Sequence, residues 1–463
     1  MVTLPAHDAA AMVEELTDRL IAELDPSTAD PTQLRGRQYD LGLAWVHFPE
    51  GFGGLGVPPR FQRDVDRRLH SAGASVGAIR FFGLTMAGPT VVTHGGDDLR
   101  RRLLRPMFTG EDIWCQLFSE PGAGSDLAGL STRAVRDGDE WVISGQKVWT
   151  TIAHLADRAM LVARTDPEAP KHKGLTYFAL DMHAAGVEVR PLRQMTGDAE
   201  FNEVYLTEVR VPDRDRIGDV GEGWRVAMTT LMNERTTIGA GGGGEGPKRG
   251  AGAIAEAVRL YQERRPQLDA ARRDRLMQQW IAAEALRLTN IRARQLALAG
   301  NPGPEGSIVK LRFAEVNQDI YELCVDLLGA DALAGFDYTM DRGEALGLTG
   351  PPGGSRKAFL RSRANSIEGG TSEIQRNIIA ERVLGLPGDV RVDKDPPLVS
   401  RAPELRRATP LAGGHAGSHD LCRSARVRRR GATPGCSPPG GRQTAWTVTR
   451  VARGRGGPAR RLR

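Results

Sequence analysis

The chain has 463 residues, of which 40% are hydrophobic and 26% charged, with a formal net charge of +6. That length allows two or three domains around a sizeable core, and the composition is that of a globular protein rather than a fibrous or disordered one. No apolar run is long enough to cross a bilayer. The N-terminus is polar and acidic through Asp8, Glu14 and Glu15, unlike a signal peptide. The four cysteines, Cys115, Cys324, Cys422 and Cys436, show neither metal-site nor disulfide spacing, and the nine histidines are scattered. No metal site is expected, and a reducing cytoplasm fits.

The charge is unevenly placed. Residues 401–463 hold fifteen arginines, no lysine, one Asp and one Glu, a charge of +13, which leaves −7 for residues 1–400. The body is therefore acidic. No nucleic-acid partner is expected of it; salt-sensitive phosphate binding would belong to the tail alone.

In chain order, residues 1–110 read as a helical domain. Ala11 to Leu24 carries apolar residues at helical spacing. Trp45 to Gly56 is a link punctuated by Gly and Pro, and Arg60 to His70 and Leu99 to Phe108 read as further helices. Residues 111–215 read as a β-domain. Trp141 to Thr151 contains two short β runs around Ser144-Gly145, which predicts a hairpin there. Met160–Arg164, Thr176–Leu180, Gly186–Arg190 and Glu203–Val211 are further strand candidates, and short strands between turns suggest a small barrel or sandwich.

Residues 216–395 return to helix. Trp224, Ala227, Leu231 and Ile238 form one apolar seam. Glu234 extends that seam, and a carboxylate on a buried face is costly unless paired, protonated or functional. Gly241 to Gly244 predicts a flexible break. Long helices over Gln267–Gln295 and Ser307–Leu328, with a last helix from Ser372, suggest an antiparallel bundle. Residues 396–463 are dense in Arg, Gly and Pro without periodicity and read as a disordered tail. The abrupt change of composition suggests a shifted reading frame. A native protein whose intact mass includes the tail would remove that idea.

Two stretches carry chemistry. Ser366 to Gln375 reads Ser-Ile-Glu-Gly-Gly-Thr-Ser-Glu-Ile-Gln, a glycine turn feeding a helix, with Ser372 and Gln375 at capping-box spacing. Its free N–H groups suit a carbonyl or a phosphate, although a plain helix cap has the same pattern. Upstream, Ser119 to Asp126 reads Ser-Glu-Pro-Gly-Ala-Gly-Ser-Asp. The glycines here mimic a dinucleotide loop, but the third glycine and the βαβ context are missing, so NAD is rejected.

Together these stretches resemble the acyl-CoA dehydrogenases. The C-terminal signature continues through Glu381-Arg-Val-Leu-Gly-Leu-Pro387, and the likeness spans about the first 395 residues. The resemblance implies an α+β architecture: a helical domain, a small β-domain, a helix bundle, then the tail. It implies FAD as cofactor, an acyl-CoA substrate and an electron-transfer flavoprotein as acceptor. It also implies a homodimer, homotetramer or mixed tetramer. The family's reaction needs a carboxylate to take the α-proton and donors for the thioester oxygen, while a flavin takes the β-hydride.

Two glutamates compete for the base. Aligning on Gly370-Thr371-Ser372 puts Gly369 at the family's usual base position and Glu368 one residue before it. A subset of the family, including isovaleryl- and long-chain-type enzymes, keeps its base on the bundle helix before an Arg. Glu234-Arg235 resembles that arrangement, so Glu234 is the preferred base and Glu368 the alternative, with Arg235 orienting the carboxylate or the nearby FAD loop. By the same resemblance Gln116, Phe118, Ser119 and Ser125 form the first FAD stretch, and Trp149, Thr150 and Thr151 the second. Thr371 and Glu373 stand at cofactor-contacting positions, and Gly329 on a loop reaching a neighbouring subunit's FAD. The Gly369 N–H and a flavin ribityl hydroxyl would hold the thioester oxygen, and Ser125 would lie along the CoA path. Without the family context Trp149 reads as core, Gly329 as a helix C-cap and Arg235 as a surface residue.

The family's frequent Arg-Lys-x-Phe-Gly segment is missing, since the region reads Gln262-Glu-Arg-Arg-Pro-Gln-Leu-Asp. That puts the FAD contacts of this region in question and allows a mixed oligomer. Two other functions fit the same residues: a flavin oxidase on this fold, or a non-catalytic flavin-binding subunit. The acyl group could be a fatty, branched or sterol-side-chain one.

Overall fold

A computed structural model describes residues 6–74, 81–239, 248–264, 269–298, 305–334, 340 and 354–388. The expected break at Gly241 to Gly244 and the Arg-rich tail lie outside the described residues.

Helix α1 (Ala6–Glu23), α2 (Pro31–Asp40) and α3 (Gln62–Ser71) pack around Leu20, Leu43, Val46 and Val65. Helix α2 escapes a periodicity reading because its sequence is polar and contains Gly36. It is started by Asp30, whose side chain accepts from Gln33 N, and by Pro31 in the first turn. The Arg105 side chain passes over Gly36, where a Cβ would stand 2.9 Å from its Nη2. A π-helical turn at Gly83–Ala87 leads into α4 (Gly88–His94), and α5 (Asp97–Thr109) follows.

The middle of the chain is one hydrogen-bonded sheet of seven strands: β1 (Trp114–Leu117), β2 (Arg133–Asp137), β3 (Glu140–Thr151), β4 (Arg158–Arg164), β5 (Leu175–Asp181), β6 (Val187–Leu192) and β7 (Phe201–Pro212). The order is β1-β4-β2-β3-β7-β6, with β5 also on β4. The sheet folds over its own core: Trp141 of β3 meets Phe178 of β5 edge-on at 5.6 Å, although those strands are not neighbours.

Ser144-Gly145 is not a hairpin turn. The hairpin joins β2 to β3 across Gly138, whereas Ser144-Gly145 is a register shift inside the single long β3. A Cβ on Gly145 would sit 2.3 Å from Thr132 Oγ1, so the glycine serves a close approach within the sheet.

After the sheet come α6 (Gly223–Gly239), α7 (Ala253–Arg264), α8 (Ala270–Leu298) and α9 (Glu305–Leu328), then α10 (Gly354–Ser362) and α11 (Ser372–Ile378). Trp45, Phe108, Trp114, Phe118, Tyr177, Val226 and Ala227 share one core, which joins the N-terminal helices, the sheet and α6. Helices α7, α8 and α9 bury a separate core around Ile254, Leu260, Leu276 and Leu323.

Candidate active site

The two upstream stretches meet through backbone and a buried ion pair. Gln116 is half-buried on β1, Phe118 is buried edge-on to Tyr177 at 5.8 Å, and Ser119 O accepts from Val148 N at 2.9 Å. Lys147 is fully buried on β3, and its Nζ donates to Phe118 O at 3.0 Å, Val162 O at 2.9 Å and Glu120 Oε1 at 2.9 Å. Glu120 also accepts from Ser131 N, Ser131 Oγ and Thr132 N. Burial pushes the Glu120 carboxyl up, but the Lys147 ammonium and these hydrogen bonds outweigh it and hold it at about 2. The loop beyond is exposed at Ser125, and Asp126 pairs with the buried Lys171 at 2.9 Å.

Beside this anchor, Trp149 has φ +60 and is 56% exposed, its ring edge-on to Phe201 at 5.7 Å. Thr150 and Thr151 are buried opposite Asn202 and Phe201 of β7, and the Thr150 hydroxyl is a buried polar atom without a hydrogen-bond partner. The open face of Trp149, walled by Phe201, fits a planar heteroaromatic ring. That is what a flavin presents, so the residues fit FAD.

The C-terminal turn reaches the same face. The Arg361 guanidinium lies 5.9 Å from the Phe201 ring and holds Glu368 with two bonds, of 3.1 and 2.8 Å. Asn365 Nδ2 donates to the same carboxylate at 2.7 Å. Gly369 and Gly370 have φ of +63 and +91. Gln375 Nε2 donates to Gly369 O at 3.2 Å, and Lys310 Nζ of α9 donates to Gly370 O at 2.5 Å and Asn365 O at 2.9 Å. The cap of α11 differs from expectation by one residue. Thr371 is the N-cap, accepting from Ile374 N at 3.2 Å, which leaves Gln375 to hold the turn instead of completing a box with Ser372. Glu373 is exposed.

Glu234 lies half-buried on α6, which packs against α9. Both candidate glutamates come within electrostatic reach of Lys310. The Arg235 side chain lies outside the described residues. Gly329 stands apart from this cluster, opening a 3-10 turn after α9 with φ +58, where Arg264 of α7 holds Leu328 O at 3.1 Å and Asp331 at 2.6 Å.

Lys147, Phe201, Lys310, Arg361 and Asn365 had no role in the sequence reading. A signal existed for Lys147, which falls on the inward parity of Trp141 and Ile143. The others become visible only when distant elements meet.

Three family descriptions match the chain: acyl-CoA dehydrogenase, N-terminal domain, over residues 6–111; middle domain, over 115–209; and C-terminal domain, over 221–384. The chain is 40% identical over 349 residues to acyl-CoA dehydrogenase FadE34 of Mycobacterium tuberculosis, a match covering 75% of this chain and 45% of FadE34. It thus spans about half of that relative's length. Acyl-CoA dehydrogenase IpdE1 of the same organism is 36% identical over 352 residues, covering 76% of this chain and 86% of IpdE1. Among solved structures, the ChsE4-ChsE5 complex from Mycobacterium tuberculosis is similar with a TM-score of 0.58 and 26% identity, covering 84% of this chain and all of that one.

Proposed function

The chain belongs to the acyl-CoA dehydrogenase family, and from that premise we propose that it desaturates the Cα–Cβ bond of an acyl-CoA thioester with Glu234 as the base. The observation that carries the choice of base is the state of Glu368. Its carboxylate is gripped by both arms of Arg361 and by Asn365, so its lone pairs are engaged and its negative charge is balanced. To swing toward a substrate it would have to give up those bonds. Glu234, on α6, which packs against α9, is the base in this reading.

In this reading Glu234 takes the α-proton, and the Gly369 N–H donates to the thioester oxygen as enolate charge develops there. Bound FAD supplies the hydride acceptor. Gln116, Phe118, Ser119, Ser125, Trp149, Thr150 and Thr151 hold the cofactor, with Thr371 and Glu373 at its other side and Gly329 reaching the cofactor of a neighbouring subunit. Ser125 also lines the CoA path, and Arg235 orients the base. The substrate class is a fatty, branched or sterol-side-chain acyl-CoA, an electron-transfer flavoprotein is the acceptor, and the cytoplasm is the setting. Among the described residues no helix is long and apolar enough to cross a membrane.

The test is anaerobic flavin reduction by a panel of acyl-CoA thioesters. Glu234→Gln is expected to lower the reduction rate by roughly 10²–10⁴-fold, while Glu368→Gln keeps most of it. The reverse pattern would move the base to Glu368. Rapid reoxidation of the reduced flavin by air would favour an oxidase. A second reading is that the chain is one member of a mixed oligomer. It is supported by the missing Arg-Lys-x-Phe-Gly segment and by likeness to a solved complex of two differently named chains. Bleaching that appears only after a partner chain is added would select it.

A further inference from the structure

The loop that carries the exposed Ser125 is held on both sides by buried cations. On its near side Lys147 takes the Glu120 carboxylate, and Glu120 and Ala123 exchange backbone hydrogen bonds at 3.0 Å. On its far side the cations come from β4 and from the connection between β4 and β5. Arg164 is buried and donates to Ala128 O at 2.6 Å, Leu130 O at 3.1 Å and Lys171 O at 3.3 Å. Lys171 is buried as well, and its Nζ donates to Asp126 Oδ1 at 2.9 Å.

The connection that presents Lys171 is folded on itself. Thr165 N and Asp166 N both donate to Gly174 O, at 2.9 and 3.2 Å, and Lys173 N donates to Pro170 O at 2.7 Å. A Cβ at Gly174 would stand 2.0 Å from Asp166 O, so the two ends of the connection close on each other. The tip that Lys171 faces has little packing of its own. A Cβ at Gly122 or at Gly124 would meet nothing within 4 Å, and Ser125 is exposed. Asp126 then has φ −90 and ψ 63, close to the inverse γ conformation, which turns the chain from the exposed Ser125 to the buried Leu127. Lys171 grips the side chain of the residue at that kink.

We propose that Lys171 is a positioning residue for acyl-CoA binding: by holding Asp126 it fixes the Ser125 tip in the conformation that receives the CoA portion of the substrate. This rests on the reading of Ser125 as part of the CoA path.

The asymmetry of the pair supports that role. The Lys171 side chain is 7% exposed and that of Asp126 52%. A pair with one member half in water is screened and adds little to folding. What the contact fixes is one conformation of the loop beside Ser125. A loop already in its bound shape spares the substrate the entropy of ordering it. Such an effect falls on binding and not on the chemical step, because the CoA nucleotide lies at the far end of the substrate from the reacting carbons.

The test is single-turnover flavin reduction on the FAD-loaded protein, with rates expressed per bound flavin. Two substrates carry the same acyl group. One is the CoA thioester; the other is the N-acetylcysteamine thioester, which lacks the nucleotide and most of the pantetheine arm. Lys171→Met keeps the stem and drops the amine, and Asp126→Asn drops the charge on the exposed side. Each is expected to raise the half-saturating acyl-CoA concentration by about fivefold or more and to leave the limiting rate within about twofold. The double variant should be no worse than either single one. With the N-acetylcysteamine thioester, neither variant should move the half-saturating concentration. An unmoved value for acyl-CoA in folded Lys171→Met, or an equal rise with both thioesters, overturns the proposal. Should Lys171→Met not fold, Asp126→Asn, altered at a half-exposed side chain, decides by the same criteria. Ser125→Phe tests the underlying reading by itself. An unchanged half-saturating acyl-CoA concentration in that variant would mean that CoA does not pass Ser125, which is a separate failure.

Discussion

At the scale of single residues, the Glu120–Lys147 pair shows how a motif can be legible without its physics. The Glu-Pro-Gly run was readable as a cofactor stretch, but nothing near residue 120 in sequence shows that the carboxylate is answered from 27 positions away. Removing one partner leaves a buried charge uncompensated, so Glu120→Gln is expected to cost about 3–5 kcal/mol and Lys147→Met a similar amount. The double variant recovers part of the loss, which a urea-unfolding cycle measures. The pH dependence follows from the lowered carboxyl. Glu120 titrates near 2 in the folded chain against 4.5 as its ordinary value. Its contribution is therefore complete above about pH 4.5 and is lost as pH falls toward 2. Wild-type stability should fall through that window more steeply than that of the double variant. The same holds for Glu368: the sequence put it on the page, but not the bidentate grip of Arg361, seven residues before it.

At the scale of elements, long periodic segments were readable and context-dependent ones were not. Helices α1 and α9 follow from apolar spacing, β7 from an alternating stretch, and β4 and β5 from short apolar runs that are buried at nearly every position. Helix α2 did not follow, since its first turn is set by Asp30 and Pro31 and the rest of its sequence is polar. Ser144-Gly145 was misread because a glycine within a strand signals either a turn or a close approach, and only Thr132 distinguishes them. That gives a contrast between two glycines of one sheet. Gly145→Ala should force Thr132 aside and lower stability by about 1–3 kcal/mol. Gly138→Ala meets nothing within 4 Å and bears only the strain of its φ of +61, about 1–2 kcal/mol. Thermal midpoints of the two variants check the difference; under the proposed role of Trp149 on β3, the Gly145 variant is also expected to lose flavin.

At the scale of the whole molecule, the shared core ties the N-terminal helices, the sheet and α6 together, while α7 to α9 bury a core of their own. Side-chain links across the sheet run from α10. Lys357 meets Asp198 at 2.5 Å, and Arg361 approaches Glu200 at 4.0 Å, both carboxylates lying on the segment between β6 and β7. These contacts place the C-terminal turn against the Trp149 face, an arrangement no local pattern encodes. Asp198→Asn removes the charge from a nearly buried link and is expected to cost about 1.5–3 kcal/mol. If the cofactor lies against Trp149, as proposed, flavin release followed by fluorescence should accelerate before global unfolding does. Equal loss of flavin and of helix signal would mean that the link stabilises the chain as a whole.

The left-handed backbone at Gly369, with φ +63, has a consequence for descent. An L side chain at such a position costs about 1–2 kcal/mol, and the neighbouring carboxylate at 368 is already committed to Arg361. A mutation that restored a glutamate at 369 would therefore set strain and like-charge repulsion against any gain. If Glu234 is the base, as proposed, no single substitution in this turn would return that role to it at a gain: the glycine backbone acts as a ratchet.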